Sequence, residues 1–210
     1  MRRVAWVTGV LVVLMVGEAR AQGDSAAAQV LWDEAKTLAQ AGDFEAACPK
    51  FAESQALDPQ LGTLLNLADC YARIGKLASA WARFVEAREL AEARGDARAD
   101  EARQRAEELE PQLSRLRLTV ADPVDGLVIT RNGEPVRQAL WGSEVPVDPG
   151  EMVLRAEAPG HESWERSVTL DSAELAEVIV PALAASADDG GDEPGPAKAT
   201  GGNQGMIIAG

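Results

Sequence analysis

Reactive side chains are few in this chain: one histidine, His161, and two cysteines, Cys48 and Cys70. A cysteine or serine beside a histidine would make a nucleophile–base pair, and Cys/His sets of four, or of three with a water, hold zinc. Three such residues rule out most zinc-site architectures and leave little from which to build a nucleophile–base pair. The 210 residues also lack GxxxxGK[ST], GxGxxG after a strand, GxSxG and HExxH. No catalytic constellation is visible, so the chain is expected to be no enzyme and to carry no metal or cofactor. The chemistry left to the cysteines is a disulfide. Cys48 lies eleven residues before Pro59 and Cys70 eleven after it. Helices running antiparallel about that turn would bring them opposite one another, and closing a loop of this size stabilises by roughly 3 kcal/mol in the chain-entropy model. Two reduced cysteines packed in a core are the alternative.

The compartment such a bond needs is suggested by residues 1–22. Arg2 and Arg3 precede an almost wholly apolar run, Val4–Val16, and Ala19-Arg20-Ala21 offers a small-x-small cleavage site. That order predicts a secretory signal peptide over residues 1–21, cut after Ala21. The run is too short for a good spanning helix, although an uncleaved N-terminal anchor is the rival reading. The flanks lack a twin-arginine pattern and no cysteine marks the cut, so general export of a protein without a lipid anchor is expected. Formal net charge is −14, and without residues 1–21 the chain keeps 17 basic and 33 acidic residues, a charge of −16. Such a surface repels nucleic-acid phosphates and anionic headgroups, which sets nucleic acid aside as a partner.

Composition divides the rest into three. Residues 24–114 are rich in Ala, Leu, Glu, Gln and Arg, which are helix formers. Residues 115–183 turn to Val, Thr, Pro and Gly with period-two patterning, which reads as strands and turns. Residues 184–210 begin with an Ala/Gly/Asp/Pro linker too poor in apolar groups to fold. The fold class expected is therefore α+β, with about five helices followed by a small antiparallel β-sandwich.

The helical region repeats with a period of 33. Ala35, Leu38, Ala47 and Phe51 recur as Ala68, Tyr71, Ala80 and Phe84, and Gly42 recurs as Gly75. Within each unit the apolar positions sit three, four or seven apart, on one helix face. Gly42 and Gly75 fall where a helix must stop, and Asp43 can cap the helix that follows. One helix pair cannot bury its own face, but stacked pairs can. A further helix over 97–114, with Ala102, Ala106, Leu109 and Leu113 as a narrow stripe, would close the stack, bent near its end by Pro111. A plain four-helix arrangement and a coiled-coil partner helix are the alternatives.

The small-large order Leu31…Ala35…Leu38, then Ala47…Phe51…Ser54…Pro59, resembles the tetratricopeptide repeat over residues 28–94; the second unit departs from it with Glu92 in the place of the terminal proline. In the strand region, Val128-Ile129 before the hairpin signal Asn132-Gly133, then Val145-Pro146-Val147-Asp148-Pro149-Gly150 and Ala156-Glu157-Ala158-Pro159-Gly160, is similar to the PEGA family of small β-domains, though the PEGA tetrad itself is absent. The combination resembles exported proteins of myxobacteria. This resemblance implies a non-enzymatic adaptor or scaffold at the bacterial cell envelope, periplasmic or on the cell surface, holding a peptide or protein partner on the inner face of the repeats. The inner-face candidates it implies are Trp32, Lys36, Asn66, Asp69 and Arg73. A cell-wall or polysaccharide binder acting through the β-domain, with Trp141 or Trp164 stacking on a sugar, is the competing expectation. The last residues, Gly205–Gly210, read either as the start of a membrane anchor cut short by the chain end or as a ragged terminus.

Overall fold

The computed structural model describes the backbone of residues 17–186 and the side chains of residues 24–186. The apolar run of the signal-peptide expectation and nearly all of the C-terminal segment lie outside the described residues. Five helices come first: α1 (Gly17–Gln40), α2 (Phe44–Leu57), α3 (Leu61–Arg73), α4 (Leu77–Arg94) and α5 (Ala99–Leu109). Seven strands follow: β1 (Ser114–Val120), β2 (Val128–Arg131), β3 (Glu134–Pro135), β4 (Glu144–Val147), β5 (Gly150–Glu157), β6 (Trp164–Leu170) and β7 (Leu175–Val180). The molecule is α+β, helices then strands, as composition led us to expect.

The 33-residue period is a period of helix hairpins. Ala35, Ala47, Ala68 and Ala80 are wholly buried where helices cross, and Phe51 and Phe84 fill the space beside them. Gly42 and Gly75 adopt φ of +83° and +75°, the left-handed geometry a helix stop needs. At both, the glycine N–H and the next N–H turn back to the preceding helix, Gly42 to Ala39 and Asp43 to Leu38, Gly75 to Ala72 and Lys76 to Tyr71. Cys48 on α2 and Cys70 on α3 meet across the Pro59 turn, their Cα atoms 5.5 Å apart and their sulfurs bonded. The α5 stripe of Ala102, Ala106 and Leu109 packs on α3 and α4. Pro111 does not bend α5; the helix ends at Leu109, and Pro111 sits in a 3₁₀ turn, Glu110–Gln112, that leads directly into β1. A helix that must hand over to a strand places the proline where its missing N–H costs nothing.

The repeat breaks at one informative position. Asp43 caps α2 by accepting the N–H of Ala46 at 3.2 Å. Thirty-three residues later stand Lys76 and Ser79, and Lys76 makes no capping bond. The cap comes instead from the β-domain. Asp148, in the turn between β4 and β5, accepts the Ser79 N–H at 2.8 Å and the Ser79 hydroxyl at 2.6 Å.

The strands form two sheets, ordered β4-β1-β7 and β3-β2-β5-β6. Their inner faces enclose a core of Leu116, Leu118, Ile129, Leu154, Val178 and Val180 among others. Asn132 and Gly133 make the two-residue β2–β3 turn, both with positive φ. One pairing departs from the antiparallel expectation: β1 runs antiparallel to β4 but parallel to β7. β7 enters from the opposite sheet, after β6, so no tight hairpin fixes its direction against β1. Residues 184–186, assigned to the linker by composition, still pair with the chain: the Glu162 N–H bonds the Ala184 carbonyl at 2.7 Å and the Ser186 N–H bonds Gly160 at 2.9 Å. Among the described residues no helix is long and apolar enough to cross a membrane.

Candidate functional site

α1, α3 and α5 line a groove floored by Phe44 and Phe51 of α2, with a cavity of ≈ 370 Å³. Lys36 on α1 and Asn66, Asp69 and Arg73 on α3 all face it. The spacing explains this: Asn66, Asp69 and Arg73 are three and four residues apart, one stripe of α3 opposite its buried Leu64, Leu67 and Ala68. Four of the five residues expected at the inner face thus share one groove. Trp32 does not line it. It stands one turn before Lys36, whose ammonium lies 4.6 Å from the indole centroid, and it walls a second cavity.

The sequence reading missed Arg105. It stands on α5 beside the buried Ala102 and Ala106. Its guanidinium pairs with Asp69 at 2.7 Å, reaches Glu108 at 3.7 Å and lies 5.1 Å from the centre of the Phe84 ring. Its place between two buried alanines on a helix otherwise facing water was the available signal. Asp69 is therefore engaged, and Asn66 donates its amide to the Gly62 carbonyl at 2.9 Å. Arg73 lies 5.7 Å from the centre of the Phe44 ring. Among the described residues neither Lys36 nor Arg73 has a carboxylate within 4.0 Å. In a chain of net charge −14 the groove is a local concentration of cations over aromatic rings. Such a surface can hold acidic and apolar groups of a ligand.

The second cavity, of ≈ 380 Å³, lies at the start of α3, bounded by Trp32, Asp58, Gly62, Thr63, Arg94 and Arg98 among others. Asp96 grips Arg98 through two bonds, Oδ1 to Nε at 2.9 Å and Oδ2 to Nη2 at 2.6 Å. The Arg98 side-chain bond, then its backbone N–H, hold the Asp96 carboxyl far below the usual carboxylate range. The pairing raises Arg98 in turn.

In the β-domain, Trp141 and Trp164 are half-buried, packed against the core. Trp141 Nε1 is buried without a hydrogen-bond partner among the described residues. His161 donates from Nδ1 to the Pro159 carbonyl at 2.8 Å. On the outer face of the three-stranded sheet Arg117 bridges Glu144 and Glu177. No protein-family model and no curated protein matches this chain.

Proposed function

We propose that this chain is a non-enzymatic adaptor of the bacterial cell envelope, exported through its N-terminal signal, that holds a peptide or protein partner in the groove of a tetratricopeptide-like array beside a PEGA-like β-domain. The observation that carries this reading is the convergence of Lys36, Asn66, Asp69 and Arg73, with Arg105, on one groove. Two of its cations have no carboxylate within salt-bridge distance among the described residues, so an incoming acidic segment breaks no pair seen there at those two positions. Cysteines bonded between α2 and α3 suit an oxidising compartment. Cleavage after Ala21 would trim α1 to its last 19 residues, Gln22–Gln40, and leave its groove residues in place.

The test is affinity capture from an envelope extract by the full chain and by a Lys36→Glu/Arg73→Glu variant. The adaptor reading expects a partner held by the first and lost from the second, with a fall of roughly tenfold or more in affinity for two reversed charges. Equal retention by both, or retention of polysaccharide alone, overturns it.

A further inference from the structure

We propose that the cavity at the start of α3 binds an oxyanion, a phosphoryl or carboxylate group, through the open N–H groups of α3, the Thr63 hydroxyl and the guanidinium groups of Arg94 and Arg98. The site stands whether or not the neighbouring groove holds a partner.

α3 is 13 residues long and begins without a cap. Its N-cap, Gln60, makes no side-chain bond to the helix, its amide being given to Asp58 Oδ1 at 2.8 Å. The first N–H to find a partner inside the helix is that of Leu64, bonded to the Gln60 carbonyl at 2.9 Å. The N–H groups of Leu61, Gly62 and Thr63 have no partner among the described residues. Open donors and the positive end of the helix dipole make an anion favourable there.

Thr63 supplies independent evidence. It is only 5% exposed, it lines the cavity, and its hydroxyl makes no hydrogen bond among the described residues. A threonine in a helix ordinarily turns its hydroxyl back to a carbonyl of the preceding turn. Here it is left as a donor facing the cavity, while the neighbouring buried hydroxyl, that of Ser54, is satisfied by the Ala28 carbonyl at 2.8 Å.

The arginines give the charge. Because Asp96 holds Nε and Nη2 of Arg98, the remaining Nη1 is directed at the helix start. It lies 3.9 Å from where a Cβ on Gly62 would stand. The absence of a side chain at Gly62 leaves the backbone there open to an approaching oxygen. Arg94 shares the cavity wall and has no carboxylate within 4.0 Å among the described residues. Cations beside a helix N-terminus repel its dipole; Asp96 offsets the charge of Arg98, and an anion between the guanidinium groups and the helix would offset that of Arg94 as well. Asp58 is the one carboxylate on the wall; it opposes the anion and is partly engaged by Gln60.

The test is an amide-resolved NMR titration of the full chain with inorganic phosphate and with acetate, at constant ionic strength set by chloride. The expected result is saturable shifts of the Gly62 and Thr63 amides. Arg94→Gln should weaken binding about tenfold, as expected for loss of one charge-assisted contact. Asp58→Asn should tighten it, and Thr63→Val, a change of shape small enough to keep the fold, should weaken it. Tighter phosphate assigns a phosphoryl ligand and tighter acetate a carboxylate. Shifts that never saturate with either ion, or that saturate equally in wild type, Arg94→Gln and Thr63→Val, overturn the site.

Discussion

Asp96 sets the geometry around it through a single charge. Its carboxyl is held far below the unfolded value by bonds to Arg98, so it is ionised throughout the neutral and mildly acidic range. A depressed folded pKa adds stability above the unfolded carboxylate value, near 4, and that contribution is lost as pH falls through the folded one. Asp96→Asn should therefore lower Tm slightly at pH 7, with the gap from wild type closing below about pH 4. Thermal melts across pH would show this, and a gap that widens in acid would contradict it. The pair is partly solvent-exposed, so the effect is small and salt-sensitive. At this scale the sequence was informative for the groove and silent for the second cavity. Lys36 and Arg73 were nominated by the resemblance to the tetratricopeptide repeat, not by composition or spacing, and both line one groove. Trp32, one turn from Lys36, is seated by the packing at the other cavity. Thr63 carried no signal at all, since a threonine in a helix is unremarkable until its hydroxyl is seen to lack a partner.

At the scale of elements, the loss of a cap in the second repeat unit is compensated by a residue from another fold. Asp43 serves α2 from its own turn, and Asp148 serves α4 from 69 residues away. Removing an N-cap carboxylate costs about 1 kcal/mol, and up to about 2 in favourable settings. Asp148→Ala should reduce stability by that amount in urea unfolding. Lys76→Asp in the same background should restore much of it, because it rebuilds at α4 the arrangement that Asp43 makes at α2. No recovery would mean that Asp148 acts through the turn it sits in rather than through α4. The two helix hairpins were legible because a 33-residue period of small and large residues states which faces must meet. The cap was not, because nothing local to Ser79 announces an acceptor so distant in sequence. The parallel β1–β7 pair was hidden for a related reason: alternation in Leu116, Leu118 and Val120 reports which face is buried, not the direction of the neighbour.

The helical array and the sheets are joined without a linker, and this governs how the whole molecule should open. Leu113 is buried at the junction, and Ser114 donates its hydroxyl to the Asp171 carbonyl at 2.7 Å. The Ala173 N–H bonds Gln112 at 3.0 Å, tying the end of the last helical turn to the loop before β7, to which β1 is also held by the Arg115 N–H on Glu174 at 2.8 Å. With the Asp148–Ser79 bonds, the chain is fastened at two separate points across the boundary. Domains joined by a flexible segment open independently; elements fastened this way open together. The disulfide offers a way to perturb one side only, since Cys48 and Cys70 both lie in the helical array. Cys48→Ala/Cys70→Ala should lower the unfolding free energy by about 3 kcal/mol in the chain-entropy model. If the molecule is one cooperative unit, amide hydrogen exchange in β1 and β7 should accelerate along with that in α3, by the same free energy. Protection of β1 that persists while α3 loses its own would show two units sharing a boundary, each opening on its own. The junction contacts favour the first outcome, because separating β1 from α5 while the sheet stays folded would expose Leu113 and break the Ala173–Gln112 bond.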